Sequence, residues 1–385
     1  MEKRLGRDRA IAVEEFEAAD GELLASIRSG VATVTLNRPA ALNALTFAMI
    51  EGLASWLEAW ERDARVRIVV FRGAGEKAFC AGGDIRSLYE RITTGAGGHE
   101  RYFALEYALD YRIHLYPKPV VAVMDGIVMG GGMGIAQGAA LRIVGDRTRL
   151  AMPETRIGIF PDVGGSYFLS RLPGAIGLYL GLAGPTIGAG DAVYSGLADA
   201  YFAPHSLGHL DEALAAAAAT PDARGALPAI ATRLAGTPPA EPELARLRPA
   251  IDRHFGKSGM GAIVASLEAE NTEALRPWAA KTLAALARNS PTLLRVSHEQ
   301  IRRGATLSLA ECLRMELNLI HGCFEQGDFV EGIRALVVDK DNAPRWKPPS
   351  LAQVTDEAVT RFFAPRWTPE SHPLAALRPP AMLNR

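Results

Sequence analysis

An α/β layer fold is what the sequence predicts, on three observations. Two runs, Arg67-Ile68-Val69-Val70-Phe71 and Val120-Val121-Ala122-Val123-Met124, have the continuous apolar pattern of strands buried on both faces. Each is halted by glycine, at Gly73 and Gly75 and at Asp125-Gly126, and delivers the chain to a glycine-bearing loop. Each loop, residues 79–84 and 129–134, precedes a segment able to start a helix, and strand, loop and helix in series imply α/β layers.

Before the first buried strand, Leu23-Leu24-Ala25-Ser26-Ile27 and the alternating Val31-Ala32-Thr33-Val34-Thr35-Leu36 flank a Ser29-Gly30 turn and read as a hairpin, ended by Asn37-Arg38-Pro39. Thr46 is placed to cap a helix whose Met49, Ile50, Leu53, Trp56, Leu57 and Trp60 recur at helical spacing. After the second glycine loop, short strands are predicted at 141–144 and 149–152 and helices at 167–172 and 174–182. Pro221, Pro228, Pro238, Pro239 and Pro242 break the Ala-, Pro- and Glu-rich stretch 206–247, which predicts short helices with mobile connections. Ser290-Pro291-Thr292 reads as a helix start with proline at its first position, opening two or more helices to residue 329; 344–385 reads as mostly irregular. The expected organisation is an amino-terminal extension (1–19), a core (20–205), an Ala/Pro-rich helical insertion (206–289), a helical carboxyl-terminal region (290–345) and a tail (346–385).

Composition excludes several function classes. The 42 basic and 43 acidic residues leave a net charge of -1, so no global field favours nucleic acid or an anionic membrane surface, and an anionic ligand must be held locally. The three cysteines, Cys80, Cys312 and Cys323, fit neither a disulfide framework nor a common zinc spacing, and buried free thiols are expected. No apolar run is long enough to span a membrane; the alanines at 213–219 stop between Asp211 and Asp222. Lys3, Arg4, Arg7 and Arg9 are followed at once by Glu14, Glu15 and Glu17, unlike a secretory or transit peptide, and a cytoplasmic location is expected.

Several familiar motifs fail. Gly256-Lys257-Ser258 has Ile251 where a phosphate loop needs its first glycine, and no strand precedes it. A dinucleotide spacing begun at Gly132 puts Gln137 where the last glycine belongs, so NAD is not expected. No serine is flanked by glycines two residues away on each side, and His205 and His209 lack the glutamate of a zinc-protease helix. No metal is implied.

The chemistry lies in the two glycine loops and in residues 152–165. Glycines after buried strands let a ligand approach the backbone and leave N–H groups to face developing negative charge, so the pair could form an oxyanion hole; the alternative is tight turns and close helix packing. Met152-Pro153-Glu154-Thr155-Arg156-Ile157-Gly158-Ile159-Phe160-Pro161-Asp162-Val163-Gly164-Gly165 sets two carboxylates eight residues apart in an apolar, stiffened segment, where desolvation would make a carboxyl a usable acid or base. The plainer readings are a helix cap for Asp162 and a solvated loop or a pair with Arg156 for Glu154.

Taken together, Leu36-Asn37-Arg38-Pro39 with Leu42-Asn43-Ala44-Leu45, residues 79–86, 129–132, 152–155 and 160–165 resemble the crotonase (enoyl-CoA hydratase/isomerase) superfamily. Phe329-Val330-Glu331-Gly332-Ile333-Arg334-Ala335, Asp339-Lys340-Asp341 and Pro344-Arg345-Trp346-Lys347-Pro348 extend the resemblance to its thioester-hydrolysing branch. The resemblance implies a crotonase-like ββα superhelix core with a helical carboxyl-terminal region. It also implies hydrolysis of a 3-hydroxyacyl-CoA such as 3-hydroxyisobutyryl-CoA, an intermediate of valine breakdown, or the smaller 3-hydroxypropionyl-CoA.

By that resemblance, the N–H groups of Gly83 and Gly131 hold the thioester oxygen, Glu154 is the catalytic glutamate, Asp162 is an aspartate specific to the hydrolases, and Glu106 is a substrate-site glutamate. The CoA arm passes between the two glycine loops along Ala81, Gly82, Asp84 and Ile85, with Ala81 and Ile85 near the adenine end, and Arg38 and Arg86 either meet phosphates or stand as solvated surface charges. Gly134 stands where hydratases carry a second glutamate and some isomerases an aspartate, so hydration across a double bond is disfavoured; an isomerase or hydratase is the alternative. CoA is part of substrate and product, and no cofactor or metal is implied. Cys80 is read as core. Related enzymes are often trimers or pairs of trimers, which makes a homo-oligomer one outcome.

Overall fold

The computed structural model describes residues 13–377. The basic segment at Lys3 to Arg9, on which the expected location leans, lies outside them. The chain starts with β1 (Glu14–Ala18), which pairs antiparallel with β2 (Leu23–Arg28); β2 turns through Ser29 and Gly30, both at positive φ, into β3 (Val31–Leu36). That is the handedness a two-residue hairpin loop needs to match strand twist. Helix α1 (Phe47–Arg62), capped by the Thr46 hydroxyl accepting from the Met49 N–H at 3.1 Å, returns the chain to β4 (Ile68–Gly73), parallel to β3. Then follow β5 (Ala78–Cys80), α2 (Ile85–Thr93), α3 (His99–His114), β6 (Val120–Met124), β7 (Ile127–Met129), α4 (Gly131–Gln137), β8 (Leu141–Val144) and β9 (Arg149–Ala151). After a 3-10 turn at Glu154–Ile157 come α5 (Gly165–Leu169), α6 (Ile176–Ala183), α7 (Ala189–Ser195) and β10 (Ala200–Tyr201).

Two sheets result. The larger has the order β1-β2-β3-β4-β6-β8-β10 and is parallel from β3 onwards; the smaller is parallel, in the order β5-β7-β9. In the large sheet Val69, Phe71, Val120 and Ala122 point into the main core, while Ile68, Val70, Val121 and Val123 point into a second one. Side chains alternate between faces, so a strand that is apolar at every position must be covered on both.

The far face is covered by the stretch whose role the sequence leaves open. Helices α8 (Pro204–Gly208), α9 (Leu210–Ala218) and α10 (Leu227–Leu234) lay Leu210, Ala213, Leu214, Ala217, Leu227 and Ile230 on it. Then α11 (Glu243–Phe255), α12 (Met260–Glu268) and α13 (Arg276–Leu286) pack back on the other side, α11 against α6 and α7 and α13 against α6. The short helices expected over 206–247 are α8, α9 and α10, of 5, 9 and 8 residues, and the 13-residue α11 that follows tolerates Pro249 in its interior.

The carboxyl-terminal helices are α14 (Pro291–Gly304), α15 (Leu309–Gln326), α16 (Asp328–Ile333) and α17 (Asp356–Phe362). Ser290 caps α14 with Pro291 in its first turn, as the sequence predicts. Within the stretch read as irregular, α17 packs on α14 and α15. Three local readings are corrected. Phe79 and Cys80 belong to strand β5, not to a loop, because they pair in the small sheet. Residues 131–134 are the first turn of α4, since Gly130 at φ 47, ψ -122 turns the chain directly into a helix. Asp162 caps nothing: the residue capping α5 is Gly164. Gly256-Lys257-Ser258 is the turn between α11 and α12, and all three cysteines are buried and free.

Candidate active site

The small sheet builds the site. Its three parallel strands end side by side, so the residues that follow them, Ala81-Gly82-Gly83 after β5, Gly130-Gly131 after β7 and Pro153-Glu154 after β9, meet at one edge. Such an edge, outside the carboxyl ends of parallel strands, is where α/β folds bind ligands. The two glycine segments nearly touch: a methyl group on Gly82 would lie 3.3 Å from the Met129 carbonyl oxygen, and one on Gly130 would lie 3.5 Å from Gly82 Cα and 3.4 Å from Glu154 Oε1. A methyl on Gly131 would collide with Glu106 Oε1, and one on Gly83 would come within 2.6 Å of the Tyr102 hydroxyl. Glycine is therefore required by close approach, and the plain tight-turn reading does not exhaust its role. Neither the Gly83 nor the Gly131 N–H donates to a partner among the described residues; Gly131 is in the first turn of α4, where no intrahelical carbonyl reaches.

Ala81, Gly82, Gly83 and Ile85 line one cavity of about 830 Å³, together with Glu106, Gly131, Glu154 and Asp162. The residues expected at the acyl end, Gly83, Gly131, Glu106, Glu154 and Asp162, thus share one cavity with Ala81, Gly82 and Ile85 of the expected CoA path. Glu154 is 5 % and Asp162 6 % exposed, so Glu154 lies in no solvated loop, and it makes no ion pair with Arg156 among the described residues. Burial, and then the Asp162 charge, push the Glu154 carboxyl well above its usual range. Burial raises Asp162 to about 7, against the pull of the Tyr107 hydroxyl, which donates to Asp162 Oδ2 at 3.0 Å. Glu106, raised well above its usual range by burial and then by Asp162, has its Oε1 buried without a hydrogen-bond partner among the described residues, as has Glu154 at Oε2. Buried polar atoms are normally satisfied, so unpaired oxygens facing a cavity fit a site shaped for a polar ligand.

Three expected residues stand outside the cavity lining. The Arg38 guanidinium pairs with Glu22 at 2.8 Å and Asp84 at 3.1 Å and donates to the Ala44 carbonyl at 2.7 Å; it is already neutralised, and the phosphate reading of Arg38 is replaced by a structural one. Asp84 caps α2 through the Ser87 N–H at 3.2 Å besides pairing with Arg38. Arg86 is exposed on α2, with Nη2 donating to the Val337 carbonyl at 2.8 Å as its one side-chain hydrogen bond among the described residues. Cys80 is fully buried, its thiol pushed up to about 12 by burial, which fits a core residue.

Sequence reading missed three further groups. Tyr107 holds Asp162. Asp110, one helical turn after Glu106, is 4 % exposed with neither oxygen partnered among the described residues, and burial followed by the charges of Glu106 and Asp162 raises it well above its usual range. Its carboxyl fills the space beside Gly134, where a methyl group would lie 2.7 Å from Asp110 Oδ2. Two acids spaced by four in the aromatic-rich stretch 102–111 were a usable signal. Glu316, on the apolar stripe of α15 between Leu313 and Ile320, is the third.

This fold, with two glycine N–H groups and a buried carboxylate at the end of a small parallel sheet, defines an acyl-CoA enzyme class, and the chain belongs to the enoyl-CoA hydratase/isomerase family, whose sequence profile matches residues 31–363. Within it, the chain is 39% identical over 351 residues to a protein of Gallus gallus named 3-hydroxyisobutyryl-CoA hydrolase, mitochondrial, covering 89% of each. It is 38% identical to the protein of that name in Danio rerio, covering 90% of each. A solved structure titled a carnitinyl-CoA dehydratase from Mycobacterium thermoresistibile superimposes with a TM-score of 0.82 at 39% identity, over 90% of this chain and 97% of that one.

Proposed function

We propose that the chain hydrolyses the thioester of 3-hydroxyisobutyryl-CoA, or of a close 3-hydroxyacyl-CoA, to the free hydroxy acid and CoA. One observation carries the reading: Glu154 lies against Gly130, whose segment closely approaches Gly82, with the Gly83 and Gly131 N–H groups open, Asp162 and Glu106 lining the same cavity and no acid at position 134. The relatives' names supply the substrate. The Gly83 and Gly131 N–H groups receive the thioester oxygen as it gains negative charge; losing one such donor typically costs about 10²–10³ in rate. Glu154 acts as base on water or as a nucleophile forming a transient anhydride. In either case the C–S bond breaks, water supplies the new acyl oxygen, and a proton reaches the leaving sulfur. Asp162, steadied by Tyr107, orients the 3-hydroxyl or the water and passes that proton. Glu106 faces the same cavity with an open oxygen for the substrate hydroxyl.

Arg86, beside the cavity-lining Ile85, is kept as the phosphate contact, and CoA enters and leaves as part of substrate and product, with no further cofactor proposed. A place in valine breakdown follows from that substrate. No helix among the described residues is long and apolar enough to cross a membrane. The two vertebrate relatives are named mitochondrial, so the cytoplasm stays a proposal, to be checked by fractionating cells that make the chain. The deciding assay offers 3-hydroxyisobutyryl-CoA, 3-hydroxypropionyl-CoA and crotonyl-CoA. Free thiol should appear from the hydroxyacyl esters, while loss of the crotonyl double bond without thiol would assign a hydratase instead.

A further inference from the structure

Glu316, near the middle of α15, has no exposed surface, yet its carboxylate serves a loop some 150 residues away in sequence. Glu316 Oε2 accepts from the Gly164 N–H at 2.8 Å, and Oε1 accepts from the Ser166 N–H at 2.9 Å and from the Ser166 hydroxyl. On α14, Gln300 Nε2 donates to the Pro161 carbonyl at 2.6 Å and reaches Glu316 Oε1 at 3.4 Å. Pro161 and Gly164 flank Asp162 and Val163, so both sides of the acid are gripped from carboxyl-terminal helices while Tyr107 grips its carboxyl.

The backbone between those grips is unfavourable by itself. Val163 has φ 53 and Gly164 φ 85, two left-handed residues in succession, and Val163 is β-branched, the kind of side chain that tolerates this region least. Such a conformation persists only where its surroundings over-determine it. A carboxylate suits the task because its two oxygens accept from two diverging N–H groups at once, which an amide cannot do.

We propose that Glu316 is a positioning residue for hydrolysis, holding the left-handed turn at Val163-Gly164 that aims Asp162 into the cavity. This rests on the reading of Asp162 as a working acid, and the test separates the two. In Glu316→Gln one oxygen is replaced by an NH₂ facing a backbone N–H. The kcat for thiol release should fall at least about tenfold with KM within about twofold, while Ser166→Ala, which keeps both backbone bonds, should cost less than about threefold. In an Asp162→Asn background the same Glu316→Gln change should cost less than about twofold, because the group it aims is gone. Equal losses in both backgrounds would mean a purely structural residue and would overturn the proposal.

A second readout needs no turnover. Amide exchange of the peptide covering residues 160–170 should quicken about tenfold in Glu316→Gln. If the wild type releases no thiol from any hydroxyacyl-CoA, the proposed function fails, and unchanged exchange then independently sinks the positioning role. Should Glu316→Gln not fold, Gln300→Met, which frees the Pro161 carbonyl on the other side of the acid, must show the same loss of kcat and the same disappearance beside Asp162→Asn.

Discussion

The proposed roles of Glu154 and Arg86 separate chemistry from binding. Under them Glu154→Ala should remove thiol release by about 10²–10⁴ or more, as loss of the base or nucleophile would, whereas Arg86→Ala should chiefly raise KM for the CoA ester; steady-state kinetics on one substrate checks both. Equal effects on kcat would undo the division of roles. The pH profile of kcat/KM is set by the same buried acids. In the proposed mechanism Glu154 acts without its proton, so the rate should rise with pH from the acid side, and Asp162 acts with one, so the rate should fall as pH passes about 7. Asp162→Asn should abolish the falling limb, and a limb that survives would move the proton transfer to another group. Arg38 shows how a motif misleads at this scale: it stands in the expected sequence, but Glu22 and Asp84 from separate elements consume its charge.

Among the elements, the legible ones were those whose pattern is local. Both buried strands declare themselves because every residue is apolar, and glycine marks where each must stop. Glu154 and Asp162 could be found because they sit in one short stiff segment. Asp110 and Glu316 could not, since what makes them matter is packing across sequence gaps, Asp110 beside Gly134 and Glu316 beneath Gly164. Of the prolines that read as breakers, Pro228 stands in the first turn of α10 and Pro242 is the residue before α11, so both mark helix starts, which is why 206–247 looked less ordered than it is. Element packing also predicts that Gly134→Glu will not convert the enzyme to a hydratase. The new Cβ would meet Asp110 and Val163, both 2.7 Å away, so the variant should melt lower and show no hydration of crotonyl-CoA; a gain of hydration would contradict the geometry.

At the level of the whole molecule, the carboxyl-terminal helices close over the small sheet. Ser290 N–H donates to the Thr155 carbonyl at 3.0 Å, Asn289 to the Thr155 hydroxyl at 2.9 Å, and Asp328 accepts from the Ser290 hydroxyl at 2.6 Å, so the turn carrying Glu154 is pinned by the chain's last third. The acids this closure buries make stability depend on pH. Asp162 binds its proton more tightly folded than unfolded, raised from 3.8 to about 7, chiefly by burial. Its stabilising contribution is complete below the unfolded value and is lost as pH climbs through the folded one, at about 1.4 kcal/mol per pH unit within that window. Denaturant midpoints should therefore fall between pH 5 and pH 8, less so in Asp162→Asn; a midpoint that rises would reverse the assignment. The three sealed sulfurs have a practical side. With Cys80 and Cys312 pushed to about 12 by burial and Cys323 also held well above the usual thiol range by burial, a colour-forming disulfide dye added to the native enzyme should register liberated coenzyme alone, and in urea the same dye becomes a titration of how many molecules have come apart.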